Sequence, residues 1–260
     1  MTMSSLNGKV ALITGAGQGL GAYYAQVLAR NGASVVLSGR SIEKLNKVAE
    51  RINNNGGKAF PFLLDVADCN GFDGKIEEII QKVGPVDILV NNAAVSEDKN
   101  IFDISQHDWD LHMDTNLRGL FFLSQSVAKH MKTRPQGGNI INIAAINGDH
   151  IRKNCIPFSV SKAGVIHLTK AMAYELIEHK IRVNAISLGL FASESVSQWL
   201  QNDPKAQDYV DRIPIKRAGQ LSDIEGPLLL LASEASSYMV GTILKVDGGF
   251  SIDVFMNIDI

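Results

Sequence analysis

Apolar residues fall into short unbroken runs, separated by longer stretches in which they recur every three or four positions. The runs cover residues 10–14, 34–38, 59–64, 86–90, 139–143, 182–186 and 242–246. Each is nearly all apolar, as in a strand buried on both faces of a parallel sheet. Helical spacing fills 21–31, 42–53, 74–83, 106–131, 161–179 and 222–233. Strand alternating with helix predicts an α/β fold: a doubly wound parallel sheet with helices on both faces and right-handed crossovers. No repeat, low-complexity tract or Pro/Gly/Ser linker divides the chain, so 1–260 is expected to be one domain.

Two segments break the rhythm. Residues 191–216 mix serines with Trp199, Leu200, Pro204 and Tyr209. A stretch this long without strand character predicts a substrate-binding lid within the domain. The tail, 250–260, is apolar (Phe250, Ile252, Val254, Phe255, Met256, Ile258, Ile260) and is expected to dock on its own subunit or on a neighbour.

Charge and cysteine content remove several classes. With 25 basic and 27 acidic side chains the net charge is −2, which argues against nucleic acid or a membrane as the main partner. Cys69 and Cys155 are too few for a disulfide framework, so a reducing, cytoplasmic setting is expected. The opening MTMSSLNGK is too polar for a signal peptide, and the longest aliphatic run, 228–232, is far too short to span a bilayer. The six histidines never pair with carboxylates or cysteines at a spacing suited to a metal, and none is expected.

The first run leads into Thr14-Gly15-Ala16-Gly17-Gln18-Gly19-Leu20-Gly21 and then a helix. A dinucleotide needs such a turn: glycines let the backbone approach the pyrophosphate, and the helix N–H groups face the anion. Gly15, Gly17, Gln18, Gly19, Leu20 and Gly21 are therefore candidate cofactor contacts. The second run ends Ser38-Gly39-Arg40-Ser41, where an acidic side chain would select NAD. Gly39 stands in that place with Arg40 beside it. A guanidinium pairs with a 2′-phosphate, so NADP(H) is favoured over NAD(H), with Ser38, Arg40 and Ser41 as contacts. The competing reading of Arg40 is a solvated surface charge.

These motifs are followed in order by Leu64-Asp65-Val66, Asn91-Asn92-Ala93-Ala94, Thr115-Asn116-Leu117, Lys162-Ala163-Gly164 and Val246-Asp247-Gly248-Gly249. From about residue 7 to 250 the chain resembles the short-chain dehydrogenase/reductase family. The resemblance implies a seven-stranded Rossmann-type sheet and a homo-oligomer, tetramer or dimer. It puts Asp65 and Val66 at the adenine, and Asn92, Ala93 and Ala94 beside the ribose and nicotinamide. Gly189 and Ser193 fall at the nicotinamide end.

The family works through Asn, Ser, Tyr and Lys. A carbonyl taking up hydride develops charge on oxygen, which a phenol can protonate and a second hydroxyl can hold. A nearby ammonium lowers the phenol pKa, and the Asn supports that Lys through a water. Asn116 and Lys162 match, but Phe158 stands at the Tyr position and Ala145 at the Ser position. Both hydroxyls are absent, and none of the five tyrosines replaces them. Ser159 and Ser161 are expected to point elsewhere, and His150 to be a solvated loop residue. Losing a positioned acid costs about 10²–10⁴ in rate, and losing an oxyanion donor about 10²–10³.

The sequence therefore predicts an NADP(H)-dependent carbonyl or secondary-alcohol oxidoreductase scaffold, disabled here by an engineered pair of hydroxyl-removing substitutions. The alternative is a natural non-catalytic NADP(H)-binding relative, a sensor or structural subunit; Leu188, where the family usually has Pro, favours it. Lyase or isomerase chemistry on Lys162 is a third reading. The small-molecule substrate is expected under 191–216, against Phe191, Trp199 and Leu200.

Overall fold

The computed structural model describes residues 6–203 and 205–252; Pro204 and the tail residues Val254, Phe255, Met256, Ile258 and Ile260 lie outside the described residues. Seven strands form one parallel sheet: β1 (Val10–Thr14), β2 (Ser34–Gly39), β3 (Lys58–Leu63), β4 (Ile88–Asn91), β5 (Gly138–Ala145), β6 (Ile181–Leu188) and β7 (Ile243–Val246). Their order is β3-β2-β1-β4-β5-β6-β7. The chain starts at β1, winds out to β3, then crosses to β4 and winds to the opposite edge. That reversal between β1 and β4 opens a crevice at the carboxyl ends of the strands, where open α/β sheets take ligands.

Helices cover both faces. On one, Ile13, Val35, Leu37, Val90 and Ile186 pack against α1 (Gly19–Arg30), α2 (Ile42–Asn54) and α9 (Glu225–Ala232). On the other, Leu12, Val36, Leu89, Ile140 and Val183 meet α3 (Phe72–Lys82), α5 (Gly119–Met131) and α6 (Ile156–Leu176). Alternate residues of one strand thus reach different cores, which is why the runs lack a polar face.

All seven expected strands are present, but not all are buried on both sides. β3 is an edge strand, with Phe60 37% and Leu63 57% exposed. Its Pro61, which cannot donate to a ladder, is tolerated there because only β2 lies beside it. The helix expected over 106–131 is also corrected. It divides into α4 (Gln106–Met113), a π-helical turn (Asp114–Arg118) and α5. α6 begins at Ile156, earlier than the spacing indicated, with Pro157 in the first turn, where its missing N–H costs no helical bond. Segment 191–216 contains α7 (Glu194–Asn202) and α8 (Lys205–Val210).

A buried polar ladder ties these layers beneath the crevice. Asn91 Nδ2 donates to Ser124 Oγ at 2.8 Å and to Asn142 Oδ1 at 2.9 Å. Asn142 Nδ2 donates to Thr169 Oγ1 at 2.9 Å, which donates to Val165 O at 2.7 Å. The chain of bonds joins α5, β4, β5 and α6. A buried network satisfied in this way fixes their relative placement.

Candidate active site

A cleft of about 700 Å³ runs along the carboxyl ends of the central strands. Of the expected cofactor contacts, Gly15, Gly17, Gln18, Gly19, Leu20, Gly21, Arg40, Ser41, Asp65, Val66, Asn92, Ala93, Ala94 and Ser193 all line it. The turn is built for close approach. Gly15 has φ +65°, and a Cβ there would stand 3.0 Å from the Ala93 Cα. A Cβ on Gly21 would stand 2.5 Å from Asn92 Nδ2 and would collide with the Gly15 carbonyl. Asn92 fastens this turn to β4: its Nδ2 donates to Thr14 O at 2.8 Å, and its N–H and that of Ala93 donate to Thr14 Oγ1 at 2.9 and 3.0 Å.

The helix that follows is ready for an anion. Gln18, at the N-cap of α1, makes no side-chain cap bond, and no acidic residue occupies the first turn. The first amides and the positive end of the helix dipole therefore face the cleft uncompensated. At the adenosine end Arg40 is exposed, and Lys44, four residues later, donates from Nζ to Gln18 Oε1 at 2.7 Å. Two cations thus border the end where a 2′-phosphate would lie, and the residues present fit NADP(H). Lys44 went unnoticed in the sequence; its signal was a second cation one helical turn beyond Arg40.

Some expected contacts serve the scaffold instead. Ser38 is fully buried and donates to Ile13 O at 3.1 Å, so its hydroxyl is not free for a cofactor. Ser41 caps α2 and donates to Glu43 Oε2 at 2.8 Å. Gly189 provides a close crossing, where a Cβ would come 2.8 Å from the Asp247 Cα. Phe191, expected to face substrate, is 6% exposed; a Cβ on Gly219 would stand 2.6 Å from its ring, so it is a packing residue. Gln198 of α7 lines the cleft, whereas the Trp199 ring packs edge-on against Tyr209 at 6.0 Å and Nε1 donates to Asp203. Leu200 is half-buried on the same helix.

Of the four positions that the resemblance implies for catalysis, Asn116 and Lys162 are buried polar residues and Ala145 is buried. The π turn widens the helix at Asn116, which is 1% exposed. Its Oδ1 accepts from Val95 N–H at 2.8 Å, and its Nδ2 donates to Val95 O and to Ser161 Oγ, each at 3.0 Å. Ser161 is buried and itself donates to Phe158 O at 2.7 Å, so it braces Asn116 and offers no hydroxyl to a substrate. Ser159 turns to the Cys155 thiol at 3.4 Å. His150 is not simply solvated: it is half-buried, and its Nδ1 is shut off from solvent without a hydrogen-bond partner among the described residues.

Lys162 is 4% exposed and donates from Nζ to Ile143 O at 2.7 Å. Burial pushes its ammonium down from the ordinary 10.5 to about 8. Nζ lies 5.6 Å from the centroid of the Phe158 ring, in cation–π range. The ring thus meets the ammonium through its face, and buried Ala145 adds no polar atom. The site brings together an amide, an ammonium and two apolar side chains.

A dinucleotide cleft at the switch point of a doubly wound sheet, lined by the glycine turn, Arg40 and Thr115, defines a nicotinamide-dependent oxidoreductase scaffold. A family model described as enoyl-(acyl carrier protein) reductase matches residues 15–251. The chain is 36% identical over 250 residues to a gluconate 5-dehydrogenase of Gluconobacter oxydans, covering 96% of this chain and 97% of that protein. It superimposes on a gluconate 5-dehydrogenase of Burkholderia cenocepacia in complex with NADP and tartrate with a TM-score of 0.92, at 34% identity, covering 98% and 100% of the two chains. A short-chain type dehydrogenase/reductase of Mycobacterium marinum gives 0.89 at 35% identity, covering 96% and 98%. The chain belongs to the short-chain dehydrogenase/reductase family. Among the described residues, no helix is long and apolar enough to cross a membrane.

Proposed function

We propose that this chain binds NADP(H) and admits a small carbonyl or secondary alcohol beside it, but lacks the proton donor that makes the exchange fast. The carrying observation is the Phe158–Lys162 pair: an aromatic face at 5.6 Å from the ammonium, where a phenol would be needed. Arg40 and Lys44 at the cleft's end favour the phosphorylated cofactor, and three similar solved dehydrogenases carry NADP. The chemistry such a cofactor supplies is hydride exchange with a carbonyl or alcohol carbon.

The chain's own part is then binding and orientation. α1's N-terminus and the glycine turn hold the pyrophosphate. Lys162 is held by the Ile143 carbonyl, and α7 and α8 form the cover over 191–216. With no hydroxyl at 145 or 158, proton delivery falls to solvent, which is slow relative to a positioned acid.

The test is restoration. Ala145→Ser with Phe158→Tyr should raise NADPH oxidation by about 10³-fold or more over the unmodified chain, on a panel of carbonyls that includes keto acids. The separate gains should not multiply, because the two hydroxyls act as a unit. Tight NADPH binding with background activity after restoration would instead support the sensor or structural-subunit reading.

A further inference from the structure

At the opposite end of the sheet from the dinucleotide cleft, the amino ends of four neighbouring strands border a second cavity, of about 320 Å³. Lys9 precedes β1, Asp87 leads into β4, Asn139 lies at the start of β5, and Lys180 and Arg182 flank the start of β6. Ile88, Asn139 and Arg182 stand opposite one another in the ladders, so their side chains leave the sheet on one face, the face that α9 covers. The cavity is within the size range of small-molecule sites.

The cations in its lining are held in place but not neutralised. Arg182 Nη1 donates to Ser236 O at 3.0 Å and to Ser236 Oγ at 2.7 Å, and Nη2 donates to Ser233 O at 3.1 Å. Lys180 Nζ donates to Pro135 O at 3.0 Å. Among the described residues, none of Lys9, Lys180 and Arg182 has a carboxylate within 4.0 Å. Of the two acids in the lining, Asp87 is already engaged: Oδ1 pairs with Arg134 at 2.5 Å, and Oδ2 accepts from Val10 N–H at 2.8 Å. The other, Glu234, is exposed. Burial pushes the Arg182 guanidinium below its ordinary range, and the Glu234 charge opposes this.

Asn139 adds an unused acceptor. Its side chain is buried, Nδ2 donates to Leu231 O, and Oδ1 has no partner among the described residues. The Leu231 carbonyl can only accept, so it fixes which way the amide faces. A buried acceptor is costly unless a donor meets it. The order of the strands is β1-β4-β5-β6, so Lys9 stands at one side of the cavity, Lys180 and Arg182 at the other, and Asn139 between them. Three strand spacings, about 14 Å, separate the two sides. Charge spread in this way matches an anion with carboxylates at both ends better than a compact one.

We propose that this cavity is a second ligand site, taking a small polycarboxylate that carries a hydroxyl. Lys9 meets one end of the ligand, Lys180 and Arg182 meet the other, and Asn139 Oδ1 accepts from the hydroxyl between them.

The test is titration calorimetry on the full chain, with and without NADPH, using citrate as the probe. Tricarballylate, which is citrate without its hydroxyl, and inorganic phosphate are the controls. Citrate should bind with the same affinity whether or not NADPH is present, because the two cavities lie at opposite ends of the sheet. Lys9→Gln combined with Lys180→Gln should weaken citrate binding about tenfold, and Arg182→Gln about 10–100-fold. Tricarballylate should bind about tenfold more weakly than citrate, a comparison that needs no variant. NADPH affinity should be the same in all variants, which shows that they fold.

The proposal is overturned if citrate does not bind, if NADPH displaces it, or if the Lys9 and Lys180 double variant binds it as tightly as the parent. Tricarballylate or inorganic phosphate binding as tightly as citrate would overturn it equally. Failure of NADPH itself to bind would count against the functional reading alone, because the citrate titrations without cofactor still report on this cavity.

Discussion

Replacing Lys162 with Met should remove a specific pH dependence of stability. The ammonium is buried, and its pKa falls from 10.5 to about 8 on folding. Below 8 both folded and unfolded chains carry the charge, and the full cost of burying it is present. Between 8 and 10.5 the unfolded chain holds a proton that the folded chain has lost, so stability rises with pH. Above 10.5 both forms are neutral and the gain is complete. At 1.36 kcal/mol per unit, this amounts to about 3 kcal/mol across the window.

Other groups titrate at alkaline pH, so the informative quantity is the difference between the parent and Lys162→Met. Met keeps the length and much of the volume of the stem, while leaving the Ile143 carbonyl without its donor. That loss costs about 1–3 kcal/mol and is independent of pH. Urea unfolding at several pH values from below 8 to above 10.5 should show the parent gaining on the variant as pH rises. A constant difference over the window would refute the argument that Lys162 is folded into the chain at the expense of its charge.

Three further outcomes follow from the geometry. Arg40→Ser combined with Lys44→Ala should weaken NADPH binding by about 10–100-fold, the value of charge-assisted bonds to phosphate, and leave NADH binding unchanged in a fluorescence titration. Equal losses for the two cofactors would remove these cations from 2′-phosphate recognition. Gly21→Ala places a Cβ against the Gly15 carbonyl and Asn92; it should cost about 1–3 kcal/mol in urea unfolding and lower NADPH affinity by displacing the turn. Unchanged affinity would show that the turn can relax. Asn91→Ala strips partners from Ser124 and Asn142 and should destabilise by about 1–3 kcal/mol, with Asn142→Ala adding less than its separate effect because the two share one bond. Full additivity would show that the ladder does not act as a unit.

The sequence by itself determined the seven strands, the glycine turn, the cation at the end of β2, and side chains without a hydroxyl at 145 and 158. Each depends on residue type and short-range spacing: an all-apolar run has to be buried on two sides, and Ala145 and Phe158 carry no hydroxyl in any fold. Tertiary structure decided what those residues do. Helical periodicity could not reveal the π turn at Asn116, because one inserted residue barely alters the apolar spacing. Ser38 and Phe191 read as available to ligands from local pattern, yet packing directed both into the scaffold. The lowered pKa of Lys162 comes from every element that excludes water around it. Arg152 and Asp98, 54 residues apart, meet only because two loops leave neighbouring strands at the same end of the sheet. Local propensity acts over a few residues, whereas burial and charge pairing are sums over segments that only the fold brings together.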